Sequence, residues 1–134
     1  MKLWLLKSEP SEYSYDLLER HKKGVWDGVM NNQALIHLRN MRKGDRAFMY
    51  HSGKEKAIIG IVDIVSDPYP DPRKNDPRLV VVDVAPRERL TSPVSLSAIK
   101  KNAAFASFEL VRFSRLSVMP VPTVLWEKVF AMSH

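Results

Sequence analysis

Leu3-Trp4-Leu5-Leu6-Lys7-Ser8-Glu9-Pro10 decides how this chain is read. Lys2 to Leu6 has the composition of a buried first strand. Glu9-Pro10 stops it, because proline disfavours helix at the residue before it and has no N–H for a ladder. The strand therefore ends on Lys7 and Ser8. Two similar junctions follow. Trp26-Asp27-Gly28-Val29-Met30-Asn31 lies between two helical patterns, and Tyr50-His51-Ser52 closes the run Ala47-Phe48-Met49. A hydroxyl, an indole, an amide and an imidazole at element ends are the parts of a small recognition pocket, which is mostly apolar with a few placed polar groups. A flat aromatic wall with amide and hydroxyl partners suits a planar ligand with polar edges. A nucleobase is the obvious candidate.

Working outward, Ser14 offers an N-cap, and Leu17, Leu18 and His21 mark one face of a short helix ending before Gly24. Asn31 or Asn32 caps a second helix, with Ala34, Leu35, Leu38 and Met41 at helical spacing and Lys43-Gly44 as its stop. Strands are expected at Ala47 to Tyr50, Ala57 to Val65 and Leu79 to Val84. Residues 66–78 hold Pro68, Pro70, Pro72 and Pro77 among charged residues and read as an exposed loop. Ser95 or Ser97 caps a short helix through Ile99 to Lys101. Leu110 to Phe113 and Leu116 to Met119 read as two strands meeting near Ser114-Arg115. Pro122 sits at the first turn of a last amphipathic helix carrying Leu125, Trp126, Val129 and Phe130. Five or six short strands with helices between and around them predict an α+β fold, a small mixed β-barrel, in one domain over residues 1–134. The five glycines stand singly at turns, so dinucleotide-binding and P-loop readings fail.

Composition narrows the function. The 134 residues contain no cysteine, which removes disulfides, thiolate metal sites and a cysteine nucleophile, and fits a cytoplasmic protein. The apolar runs are too short to span a bilayer, and Lys2 is followed by too few apolar residues for a signal peptide. The net charge of +6 is compatible with a polyanionic partner or with solvated surface charge. The excess leans towards the second half, which holds Arg73, Lys74, Arg78, Arg112 and Arg115 among others. A polyanionic partner would have these cations line one side of the pocket mouth.

Trp4-Leu5-Leu6-Lys7-Ser8-Glu9-Pro10, Trp26-Asp27-Gly28-Val29, Met41-Arg42-Lys43-Gly44-Asp45 and Tyr50-His51-Ser52 together resemble the EVE domain. Gly60-Ile61-Val62, Tyr69-Pro70-Asp71 and Arg115-Leu116-Ser117-Val118 continue the pattern in order. The resemblance covers nearly the whole chain. It implies membership of the PUA-like superfamily, beside the thymocyte nuclear protein family and akin to YTH domains, which read N6-methyladenosine in an aromatic cage. The implied fold is a PUA-like barrel. The implied function is binding of a modified base, a modified cytosine in DNA or a methylated adenine. The chain departs from the pattern at Met30, Asn32 and the pair Leu35-Ile36, where the family commonly has Arg, an aromatic and Arg–Asn. These changes remove cations and one stacking ring near the expected pocket mouth.

The candidate base pocket is Lys7, Ser8, Trp26, Val29, Asn31, Tyr50, His51, Ser52 and Ser117, and the candidate phosphate contacts are Arg115, Arg78 and Lys74, with the resemblance supplying most of the weight for Trp26 and Arg115. Read from the residues alone, each has a second role. Trp26 precedes turn chemistry, which puts it on a loop as a pocket wall, but it could equally anchor a core. Trp4 and Trp126 read as core. Asn31 can cap a helix and still donate its amide to a base edge. Ser8 can be a turn hydroxyl or a rim group, and Lys7 can meet phosphate or carbonyl. Tyr50 and Ser52 share a strand face, with His51 between them fixing loop or backbone. A hydrolase with His51 as base and Ser52 as nucleophile is disfavoured, since adjacent strand residues point to opposite faces and no G-x-S-x-G elbow is present. His21, His37, His51 and His134 share no metal-ligand spacing, so neither metal nor cofactor is expected. Arg115 and Ser117 would share a face of the expected strand. The leading expectation is a non-catalytic module that binds a modified base in DNA or RNA. The alternatives are a sensor of a free nucleoside or heterocyclic metabolite, and a hydrolase using the same pocket.

Overall fold

The computed structural model describes residues 1–133, and His134 lies outside the described residues. Seven strands and five helices alternate along the chain. They are β1 (Leu3–Ser8), α1 (Tyr15–His21), β2 (Gly24–Trp26), α2 (Asn32–Arg39), β3 (Arg46–His51), β4 (Ala57–Ile64), β5 (Tyr69–Pro70), β6 (Val80–Ser95), α3 (Leu96–Lys100), α4 (Glu109–Arg112), β7 (Val118–Pro120) and α5 (Thr123–Met132). Six strands follow the path β2-β6-β4-β3-β1-β7, and β5 adds to β6. β1 and β3 are parallel, and the other pairs are antiparallel. α2 touches β6 and β7, so this helix fills the side that the curled sheet leaves between its ends. The expected α+β barrel-like architecture is present.

Burial explains why these segments settle as they do. Leu5, Leu6, Ala47, Phe48 and Met49 on the central pair are fully buried, as are Leu38 and Met41 from α2 and the turn after it. Trp126 of α5 stacks on Phe48 at 3.7 Å between ring centroids. α1 lies so close to the sheet that a Cβ on Gly60 would meet the Tyr15 ring at 2.7 Å. The Tyr15 hydroxyl donates to the Ile61 carbonyl at 2.7 Å, and burial, the largest cause, helps push its pKa up to about 12. Ser14, Asn31 and Ser95 cap α1, α2 and α3 through their side-chain oxygens, as preferred cap residues do.

Three expectations need correction. Leu110 to Phe113 is not a strand. The segment forms α4, with the Arg112 N–H donating to Phe108 O and Leu110 buried. A four-residue apolar run does not distinguish the two structures by periodicity, and β7 offers its neighbour β1 only three residues of pairing. Arg115 and Ser117 consequently lie in the turn before β7, not in a strand. Second, Val25 and Trp26 belong to β2, where Trp26 pairs with Val82, so Trp26 is not on a loop. Third, the strand at Leu79 to Val84 continues through Pro86 and Pro93 to Ser95. Its register with β4 shifts between Ile61 and Val62, opposite Pro86, and again between Ile58 and Gly60. Such irregularities are where a ladder tolerates residues without an N–H. The 66–78 segment also contributes β5, and Asp71 within it is buried. Among the described residues no helix is long and apolar enough to cross a membrane.

Asp45, 5% exposed, joins the start of β1 to the turn before β3. Its Oδ1 accepts the Lys2 N–H at 2.9 Å, and its Oδ2 accepts the Trp4 indole N–H and the Arg42 N–H, each at 3.0 Å. Burial pushes the carboxyl pKa up, but these hydrogen bonds outweigh it and hold the group below its ordinary value of 3.8. A depressed native pKa stabilises the fold above the unfolded value, and that stabilisation is lost as pH falls through the native one. Asp45→Asn should therefore cost about 2–3 kcal/mol near neutrality, because an amide puts a second donor against donors. Urea melts across pH should show a shallower loss of stability in acid for the variant, and parallel curves would remove Asp45 from this role.

Candidate nucleic-acid interface

A cleft of about 510 Å³ opens where β1, β2 and the approach to β7 end together. β1 contributes Lys7 and Ser8, β2 contributes Val25 and Trp26, and Asp27 to Met30 close one side, with Ser117 opposite. The backbone brings these segments together. The Lys7 N–H donates to Ser117 O at 2.9 Å, and the Glu12 and Tyr13 N–H groups both return to Glu9 O, making the turn that follows Pro10. Ser8 Oγ donates to Tyr13 O at 2.6 Å, so its hydroxyl holds this turn while its lone pairs can still accept. Trp26 is 6% exposed and serves both as a core residue and as a wall. Tyr13 meets it edge-on, with centroids 6.1 Å apart at 75°. The Tyr13 hydroxyl is buried with no hydrogen-bond partner among the described residues. It lies where a Cβ on residue 24 would be, 2.1 Å away, which is why Gly24 stands there.

The charges of this cleft are mixed. Lys7 Nζ donates to Ser114 O at 3.0 Å and lies 5.6 Å from the Tyr50 ring centroid, and burial holds its ammonium below the ordinary lysine range. Glu9, Glu12 and Asp27 also line the cleft, and Arg73 reaches Asp27 from the loop after β5. Donors and acceptors thus face the same space.

The expected pocket residues divide into three groups. Lys7, Ser8, Trp26, Val29 and Ser117 line this cleft. Tyr50 and His51 are buried and do not line it. Tyr50 lies beneath Lys7, its neighbour in the β1–β3 register. His51 Nε2 accepts the Tyr15 N–H at 3.1 Å, which leaves Nδ1 as the donor to Glu55 Oε1 at 3.1 Å. Both ring nitrogens hold the scaffold, so the imidazole has no lone pair free for a general base. The Ser52 N–H donates to Ser8 O at 2.9 Å. Asn31 and Arg115 line a neighbouring cleft of about 560 Å³ with Arg112, Phe113 and Leu116. Asn31 Oδ1 accepts the Ala34 N–H at 3.0 Å, so its amide NH2 remains available to donate.

Arg78 and Lys74 line neither cleft. Arg78 is held by Asp76 at 2.7 Å, Arg87 pairs with Asp63 and Arg89 with Asp16 and Glu19. The basic second half therefore does not form one cationic side to the mouth, because most of its arginines face carboxylates. Arg112 and Arg115 have no carboxylate partner among the described residues. Sequence reading missed Tyr13, Glu9, Glu12 and Asp27 as lining groups. The turn chemistry of Glu9-Pro10 and Asp27-Gly28 flagged where they lie but not that the two turns face each other. Among the described residues no group of three or more His, Asp or Glu side chains could hold a metal ion.

The chain matches the EVE domain over residues 2–132. It belongs to the EVE domain family. Thymocyte nuclear protein 1 of Gallus gallus is 33% identical over an alignment that covers 98% of this chain and 68% of that protein. Rpa0253 of Rhodopseudomonas palustris has the same fold, with a TM-score of 0.94 and 41% identity, covering 99% of this chain and 93% of the other. The human THYN1 protein, solved in complex with 5-methylcytosine-containing DNA, superposes with a TM-score of 0.91 at 28% identity, covering 100% of this chain and 98% of the other. The EVE domain resemblance and the PUA-like architecture read from the sequence both hold.

Asn31 can be tested apart from any ligand. Asn31→Ala should lower stability by about 1 kcal/mol through loss of the α2 cap. Asn31→Asp should keep it, since a carboxylate accepts the same N–H and complements the helix N-terminus. Equal melting temperatures for all three proteins would contradict the capping role.

Proposed function

We propose that this EVE domain is a binding module for a modified base in nucleic acid, taken out of the stack into the cleft beside Trp26. The observation that carries the reading is the buried indole forming the wall of a cleft that offers both donors and acceptors. Human THYN1, a relative at 28% identity, was solved with 5-methylcytosine-containing DNA, which makes a 5-modified cytosine the first ligand to test. Cytosine presents an amino donor and a carbonyl acceptor on one edge. The carboxylates of Glu9, Glu12 or Asp27 suit the first, and the Lys7 ammonium suits the second. An added methyl gains contact with the Trp26 ring and Val29. The chemistry is recognition, with His51 committed to Tyr15 and Glu55. Arg115 contacts phosphate at the rim, and Asn31 donates from the start of α2.

Stacking and charge then have separable signatures. Trp26→Ala should reduce preference for methylated over unmethylated single strands by about 1–3 kcal/mol, the scale of base–aromatic stacking. Its effect on the salt dependence should be nil. Trp26→Phe, which keeps a ring and the fold, should retain part of the preference, and a thermal melt must accompany both. Equal discrimination by wild type and Trp26→Ala would sink the pocket assignment.

Arg115→Ala should weaken methylated and unmethylated strands by the same factor. It should also lower the log–log salt slope by about 0.7–0.9, one phosphate contact's worth. Titrations at several salt concentrations check this. A free methylated nucleoside that binds as tightly as the strand, with a flat salt response, would instead support a sensor of small molecules.

A further inference from the structure

The second cleft adjoins the first along two walls. Met30 lines one and Asn31 the other, and Ser117 lines one and Leu116 the other. Lys7 of the first cleft is tied through Nζ to Ser114 O of the second. Phe113 stands in this second cleft 48% exposed, whereas Phe48, Phe105 and Phe108 are buried. Its backbone is fixed, with its N–H donating to Glu109 O at 2.8 Å. The Arg112 guanidinium lies 5.1 Å from its ring centroid, and Arg115 lines the same space. The one carboxylate there, Glu109, is directed to His37 at 3.7 Å. A presented ring flanked by unpaired guanidinium groups is the combination that holds a base by its face and its phosphate by charge, with little regard to sequence.

We propose that Phe113 is a second stacking platform, which holds the base adjacent to the one read at Trp26, with Arg115 on the phosphate between them. This rests on the base-binding reading above. The recognised unit is then two successive nucleotides of one strand, of which one is read for its modification and the other is held without regard to identity.

The test is anisotropy titration of a short single strand carrying one 5-methylcytosine. The neighbours are intact, or abasic on the 5′ or the 3′ side, and the proteins are wild type, Phe113→Ala and Phe113→Trp. Phe113→Ala should bind the intact strand about tenfold more weakly, with the preference for methylation unchanged. On the strand abasic at the contacted neighbour, wild type should lose a similar factor and Phe113→Ala should lose nothing more. Phe113→Trp should bind at least as well as wild type. Full-strength binding by Phe113→Ala, or equal losses on intact and abasic strands, overturns the platform and returns the exposed ring to some other partner, such as a protein. Wild type with no preference for methylation overturns the base reading and the platform with it. Preference for methylation intact in wild type, with an affinity indifferent to Phe113, overturns the platform alone.

Discussion

The carboxylate of Asp45 is the contact on which the geometry of the cleft depends. β1 and β3 are parallel, so no hairpin sets their register, and a slip of one residue would turn every side chain to the opposite face. Asp45 stands one residue before β3 and accepts the N–H of Lys2, one residue before β1, together with the Trp4 indole. That contact fixes Leu3 against Arg46. By the regular rise of both strands it also fixes Lys7 against Tyr50 and Ser8 against His51 at the far end. The Ser52 N–H on Ser8 O and the Lys7 N–H on Ser117 O complete the far end. A buried charge at one end of the central pair thus determines which side chains meet at the other.

Much of this was legible in the sequence wherever a local rule sufficed. Ser14, Asn31 or Asn32, and Ser95 or Ser97 announced three helices, and Glu9-Pro10 announced the end of β1. Trp26 was legible as a wall but not as a strand residue. Asp27-Gly28 advertises a turn, while the partner that makes Gly24–Trp26 a strand, β6, lies far along the chain. The same non-locality hid the length of β6, whose prolines are accommodated by shifts in the register of β4 and not by anything in their own vicinity. The expected strand at Leu110 to Phe113 failed for the opposite reason. The run is too short to show a period, and local hydrogen bonds to Phe108 and Glu109 won.

Net charge was a weaker guide than composition alone suggested. Ion pairs such as Arg78–Asp76 and Arg89–Glu19 engage most of the guanidinium groups of the second half. Exposed pairs of this kind contribute little to stability, but they do reduce the cations free to meet phosphate. The cations at these two clefts without a carboxylate partner among the described residues are local: Arg112 at the end of α4 and Arg115 in the turn after it line the second cleft, and Lys7, held by the Ser114 carbonyl, lines the first. The first cleft itself carries carboxylates, which would repel a phosphate yet suit the amino edge of a base. The proposed binding mode accordingly keeps the backbone at the rim and the base in the interior.

Trp26 belongs both to the core and to the wall of the cleft. Its ring is ordered by its place opposite Val82, by the edge contact with Tyr13 and by the burial of its own surface. A wall fixed by folding loses no side-chain freedom when a ligand arrives, and such preorganisation favours affinity. It also means that the wall cannot be altered without touching the core. Truncation leaves a cavity at the junction of β2 and β6, at a cost typical of buried aromatic rings, about 3–5 kcal/mol. In the proposed base-binding role, discrimination and stability therefore fall together for drastic changes at this position, and only ring-for-ring substitutions separate them. The same coupling explains why Gly24 stands beside the ring. A Cβ on residue 24 would lie 2.1 Å from the hydroxyl of Tyr13, the ring that meets Trp26 edge-on.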